Sequence, residues 1–158
     1  MYCDHACTLA RMTELADSCA FPTELEEVGT SAGGREIWAL KIGNGTAAVG
    51  LYGNIHGDET TGGQLMQRWM WETCNAPTSE QTEVHTGLSA WYVPMFNPDG
   101  FENNRRENGN FFDLNRNFPQ PTGAQQGTIQ PETQAMMDFT GRHRFEQSAS
   151  SVSPPVLL

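Results

Sequence analysis

The sequence predicts an α/β fold with a mixed central sheet flanked by helices, and three stretches carry that prediction. Residues 24–42 read as a hairpin, which makes an antiparallel pair. Residues 47–54 form a short, mostly apolar run suited to a strand buried on both faces. Helical periodicity follows that run, and a further strand-like stretch follows the helix. At 158 residues the chain is long enough for one domain with its own core.

The elements follow in order. Leu9, Met12, Leu15, Ala16 and Cys19 lie at helical spacing, which predicts a helix over 8–19 that stops before Phe21-Pro22. Residues 24–30 predict a strand, and Ser31-Ala32-Gly33-Gly34 a turn. Ile37 to Ile42 alternate with two partly apolar faces, and Gly43-Asn44-Gly45 closes the strand. After the run at 47–54, a helix begins near Glu59 to Thr61 and carries Leu65, Met66, Trp69 and Met70. Residues 75–87 are polar, contain Pro77 and read as loop, and 89–96 read as a strand. Residues 97–130 are rich in Asn, Gly, Arg and Gln, and a loop of that length in a compact domain points to function or disorder. Pro131-Glu132 opens a last helix whose apolar stripe is Ala135, Met136 and Phe139.

The formal net charge is -10, with one lysine, Lys41. A surface of that sign repels nucleic acid and acidic membranes and stays compatible with cationic substrates. No stretch approaches the ~20 apolar residues of a membrane helix, and Met1 to Cys7 do not open a signal peptide. Cys3, Cys7, Cys19 and Cys74 permit three pairings, and buried thiols stand beside disulfides as a reading. Their spacing is poor for a zinc site.

His56 and Glu59 offer an imidazole and a carboxylate three residues apart, both good zinc ligands. They follow a buried-type strand and enter a helix, and α/β proteins build sites at strand C-termini. Taken alone, the pair is a weak signal. The stretch Gly53-Asn54-Ile55-His56-Gly57-Asp58-Glu59 closely resembles the zinc motif of the metallocarboxypeptidases A, B, D, E and N. The resemblance implies a Zn²⁺ site with His56 and Glu59 as ligands and no ligand role for Asp58.

Further blocks extend the resemblance. Asn97-Pro98-Asp99-Gly100 is similar to a family turn and takes a structural role from its turn-forming residues. Arg106-Glu107-Asn108, followed by Asp113-Leu114-Asn115-Arg116-Asn117-Phe118-Pro119, resembles the segment that holds the substrate's terminal carboxylate. By that likeness Asn115 and Arg116 bind the carboxylate, with arginine suited to a two-pronged grip. Arg106 polarises the scissile carbonyl, and Arg105 is the neighbouring alternative. Asp113 accepts a hydrogen bond from the metal-bound histidine and orients His56. The form of this block is closest to the D, E and N branch. Gly29 to Leu40 and Pro131 to Ala135 are also similar to family segments. His143 reads as a partly exposed structural residue, and His5 and His85 as surface residues.

The likeness runs from about Glu24 to Phe145. On that basis residues 1–146 are expected to be the N-terminal part of one catalytic domain, incomplete at its C-terminal side. Residues 147–158 are expected to be an aberrant tail, with Val152 near the place of the third, histidine ligand. The family's general-base glutamate has no counterpart in this sequence. The expected function is zinc-dependent release of single C-terminal amino acids from peptides or proteins, with this chain itself inactive. The alternative is a non-catalytic module that binds zinc or peptide C-termini. A zinc deacylase of N-acyl amino acids is disfavoured by the Asn-Arg-Asn-Phe-Pro block. The expected partner is a peptide C-terminus, with no nucleic acid and no membrane span. The chain is expected to be a monomer, and the family suggests the secretory pathway.

Overall fold

The computed structural model describes residues 3–120, 123, 125–145, 147–150 and 156–157, the last two stretches by backbone alone. Helix α1 (His5–Ser18) is followed by β1 (Thr23–Thr30), β2 (Glu36–Ile42) and β3 (Ala47–Tyr52). Helices α2 (Thr61–Asn75) and α3 (Ser79–Gly87) lead to β4 (Leu88–Val93). Then come a short helix α4 (Pro98–Glu102), a 3-10 turn (Leu114–Arg116), α5 (Pro131–His143), β5 (Gln147–Ser150) and β6 (Val156–Leu157). The sheet order is β1-β2-β4-β3-β5-β6. β2 runs antiparallel to β1 and β4, whereas β3 runs parallel to β4 and β5, so the sheet is mixed as the sequence predicts.

Alternation within the central strands builds a core on each face. Ile37, Ala39, Trp91 and Val93 point to one side, where Met136 and Phe139 of α5 cover them. Leu40, Ile42, Ala90 and Tyr92 point to the other, under Met12 and Leu15 of α1 and Met70 of α2. Both faces of β2 and β4 are therefore dry, which explains why neither strand shows a clean polar–apolar alternation.

Two expectations change, and the alternative left open for the cysteines is settled. Residues 75–87 are not a continuous loop, because α3 occupies most of them. Thr78 accepts from the Gln81 amide and Gln81's side chain accepts from the Thr78 amide, a reciprocal cap that starts the helix. His85 is not on the surface but 1% exposed. Its Nδ1 lies 2.8 Å from the Gln81 carbonyl and its Nε2 2.9 Å from the Tyr92 hydroxyl, so a polar helix turns one ring inward. The cysteines form two disulfides, Cys3–Cys7 and Cys19–Cys74, and no free thiol remains among the described residues. The second joins the C-terminal cap of α1 to the last turn of α2, which only tertiary packing brings together. His5 is partly buried, with Nε2 2.7 Å from the Glu36 carbonyl. His143 is partly exposed and lies 2.7 Å from Glu26, which agrees with a structural role.

Candidate metal and substrate-anchoring site

Parallel strands β3 and β4 end side by side, and the loops leaving them build the site. The Gly53 amide donates to the Val93 carbonyl at 2.8 Å, and the Phe96 amide returns a bond to Gly53 at 2.9 Å. Asn54 then turns the chain at φ 55°, a left-handed conformation that asparagine tolerates. Its amide nitrogen donates to the Glu59 carbonyl. His56 and Glu59 thereby face one another across a single turn.

His56 is 3% exposed. Its Nε2 lies 3.1 Å from Asp113 Oδ1. Its Nδ1 is buried with no hydrogen-bond partner among the described residues, although Glu59 Oε1 lies only 3.1 Å away. A buried ring nitrogen beside a carboxylate, with no hydrogen bond between them, is a pair of lone-pair donors suited to a shared cation. The donor chemistry fits zinc. Among the described residues no group of three or more His, Cys, Asp or Glu side chains gathers for a metal, so these two donors are what the described chain brings. Val152, expected near the third position, lies outside the described residues.

Asp113 connects the two halves of the site. Its other oxygen accepts from Arg106 Nε at 3.0 Å, and Arg106 Nη1 approaches Glu59 at 3.7 Å. Burial, the largest single influence, raises the Asp113 pKa. The bonds and charges of Arg106 and His56 together outweigh it, so the carboxyl is held below its usual range. Asp113 also caps the 3-10 turn by accepting from the Asn115 amide at 3.0 Å. That turn presents Asn115 and Arg116. Arg116 is exposed and forms no ion pair among the described residues; its Nη1 donates to its neighbour's carbonyl. Arg105 turns away, donating to the Asn108 carbonyl and stacking 4.1 Å from the Phe111 ring. Of the two neighbouring arginines, Arg106 is the one beside His56's partner.

The Asn-Pro-Asp-Gly block is the brace beneath this site. Asn97 is fully buried, and its Nδ2 reaches the carbonyls of Ile55 and Arg106 at 3.3 and 3.2 Å. One side chain thus ties the His56 loop to the Arg106 loop. Gly57 sits directly against Gly100, where a Cβ would come 2.0 Å from a backbone carbon. Asp99 accepts from the Gly33 amide and pairs with Arg35, anchoring the block to the β1–β2 turn. Sequence reasoning missed the buried support behind it. Glu132, 0% exposed, accepts from Asn108 Nδ2 and from the Ala32 amide. Asn117 donates to the Gln126 and Thr128 carbonyls. A polar residue inside a helix start gives no signal of burial until the loop folds over it.

The zinc carboxypeptidase family matches residues 8–154. Mouse carboxypeptidase M is 32% identical over 159 residues, covering 89% of this chain and 36% of the relative. Carboxypeptidase SOL1 of Arabidopsis thaliana is 31% identical, covering 88% of this chain and 30% of the relative. The chain therefore spans about a third of the length of these relatives. Among solved structures, a metallo-carboxypeptidase from Burkholderia cenocepacia superposes with TM-score 0.74 at 18% identity, covering 92% of this chain and 39% of that one. One from Pseudomonas aeruginosa gives 0.72 at 23%, covering 90% and 38%. At such identities these structures establish the fold.

Proposed function

The chain belongs to the zinc carboxypeptidase family, and from that premise we propose that it forms part of a catalytic domain that releases single C-terminal amino acids from peptides or proteins. His56 and Glu59 are the metal donors in this reading. Arg106 polarises the scissile carbonyl, while Asn115 and Arg116 hold the terminal carboxylate. Zinc bound there would supply Lewis acidity and an acidified water. Asp113 holds the His56 ring by its Nε2 side, which leaves Nδ1 free for the metal, and sets the Arg106 guanidinium beside it. The observation that supports this most is that double tether, because one carboxylate orients both the metal donor and the carbonyl-polarising arginine.

A second reading is a module that binds peptide C-termini without turnover. It rests on the same anchors and on the gathering of two metal donors among the described residues. Two disulfides point to folding in an oxidising compartment, consistent with the secretory pathway. No helix among the described residues is long and apolar enough to cross a membrane.

The test has two parts. Zinc alone is titrated into the chain by calorimetry, and a His56→Ala variant should lose the binding. Peptides with a free C-terminal carboxylate and their C-terminal amides are then compared. The carboxylate forms should bind at least about tenfold tighter, since charge-assisted bonds to arginine are lost in the amide. Arg116→Ala should erase that preference. Equal binding of acid and amide would reject the anchoring reading. Amino-acid release abolished by a chelator would select the enzyme, and binding without release would select the module.

A further inference from the structure

Two segments carry the proposed anchors, and the start of α5 is bonded to both. Arg106 lies in a loop that its own pair with Asp113 closes. Asn115 and Arg116 lie on the 3-10 turn that follows, with Asn117 as its C-terminal cap. Gln130 is the residue before α5, and Glu132 sits in the helix's first turn.

Asn108 receives the bonds on the Arg106 side. Its Nδ2 donates to Glu132 Oε2 at 3.0 Å and to Gln130 Oε1 at 3.2 Å. Its Oδ1 accepts from the Asn110 and Phe112 amides at 3.1 and 3.0 Å, and its own amide donates to the Phe112 carbonyl at 3.0 Å. Phe112 precedes Asp113, so this one asparagine joins both arms of the loop. On the other side, the Gln130 amide donates to Asn117 Oδ1 at 2.8 Å. Asn108, Asn117, Gln130 and Glu132 are all buried, so water does not compete for these bonds.

The charge on Glu132 needs a reason. The residue is fully buried and forms no ion pair among the described residues; its bonds come from two neutral donors, Asn108 and the Ala32 amide. Burying a carboxylate in that way is costly. A negative charge at a helix start is favourable, but a solvent-facing carboxylate supplies it equally well. What burial adds is a fixed acceptor that ties the Arg106 loop to the β1–β2 turn. We infer that Glu132 and Gln130 are positioning residues of the anchoring site, which act through Asn108 and Asn117 to set the spacing between Arg106 and the pair Asn115 and Arg116. In a bound peptide a single residue separates the scissile carbonyl from the terminal carboxylate. An error of about 1 Å in the spacing therefore misaligns one of the two. The inference rests on the carboxylate-anchoring reading of Arg106, Asn115 and Arg116.

Glu132→Gln isolates the effect. Its amide oxygen still accepts from Ala32, but its nitrogen then faces the Asn108 nitrogen, donor against donor. Asn108 cannot turn over without losing its bonds from Asn110 and Phe112. The variant also removes one negative charge, which by itself would favour a carboxylate ligand. A weaker preference for the carboxylate therefore reports geometry and not charge.

Binding of acetyl-Ala-Ala-Ala to the chain is measured by calorimetry, as free acid and as C-terminal amide, with a urea midpoint for each variant. The parent chain should favour the acid at least about tenfold, and Glu132→Gln should reduce the ratio to about threefold or less. Thr78→Ala removes the cap of α3; it should lower the urea midpoint and leave the ratio as it is. A folded Glu132→Gln with the parent's ratio overturns the inference. So does a ratio that falls as far in Thr78→Ala, because lost stability would then explain both. If Glu132→Gln does not fold, Gln130→Met, which removes the acceptor of the Asn108 and Asn110 side chains, is judged by the same two outcomes. If acid and amide bind the parent chain alike, the anchoring reading fails and takes this inference with it.

Discussion

Gly57 is the position where the loop of the proposed metal donors depends most directly on the fold beneath it, and Gly57→Ala tests that dependence. The added Cβ would lie 2.0 Å from the Gly100 carbonyl carbon and 2.3 Å from the Phe101 nitrogen. Ordinary contact begins at 3.4 Å, so the two segments must part by more than 1 Å. Backbone stands on both sides, and neither can turn aside as a flexible side chain would. The loop between them is also bonded, through the Gly57 amide and Asn97, to the Arg106 carbonyl. Overpacking of this kind costs about 1–3 kcal/mol, and the stiff surroundings favour the upper end. With a urea slope of about 2 kcal/mol per molar, the unfolding midpoint should fall by roughly 1 M. Zinc affinity should fall with it, since His56 and Glu59 flank the displaced residue. Gly141→Ala is the control: its Cβ meets nothing within 4 Å and it lies in α5, so it should stabilise by up to about 1 kcal/mol. A Gly57→Ala midpoint equal to that of the parent chain would refute the claim that this glycine is required by close backbone approach.

Asn97→Ala removes one donor from two site carbonyls and the acceptor of the Gly100 amide, all in a buried setting. It should cost about 3 kcal/mol or more by denaturant unfolding. Replacing Cys19 and Cys74 with alanine opens a loop with a sequence separation of 55, for which chain entropy assigns about 4 kcal/mol. Cys3 and Cys7 are only 4 apart, so losing that bridge should cost about half as much. Burial pushes Tyr52 and Tyr92 up to about 12. The unfolded chain then loses these protons first, and stability should decline between about pH 10 and pH 12. Burial also lowers the His85 pKa, against the bond to the Gln81 carbonyl. Unfolded His85 therefore binds its proton first as pH falls, and stability should be full above about pH 6.5 and decline below it. Urea midpoints at pH 7.5 and 5.5 check this, and His85→Gln should flatten the difference.

Much of the candidate site was legible in the sequence because its residue pattern is local. His56 and Glu59 sit within one turn, and Asp113, Asn115 and Arg116 within four residues, so residue type and spacing carry most of the information. The mixed sheet was legible for a similar reason, since a hairpin and a buried-type strand each declare themselves within a few residues. The cap Thr78-Ser79-Glu80-Gln81 was also present as a motif, but a polar helix with little apolar periodicity looks like loop. His85 went unread because burial belongs to Phe21 and Tyr92 as much as to histidine.

By itself the sequence determined the residue types that could hold a metal and a carboxylate, their order, and the alternation of strands with helices. Tertiary structure decided the rest. It set Arg105 and Arg106 apart by bonding one to the Asn108 carbonyl and the other to Asp113. It turned the Asn-Pro-Asp-Gly turn into a clamp by burying Asn97 between two loops 42 and 9 residues away. It paired the cysteines by bringing two helix ends together. Each of these depends on distances between residues far apart in the chain, which composition and spacing do not encode.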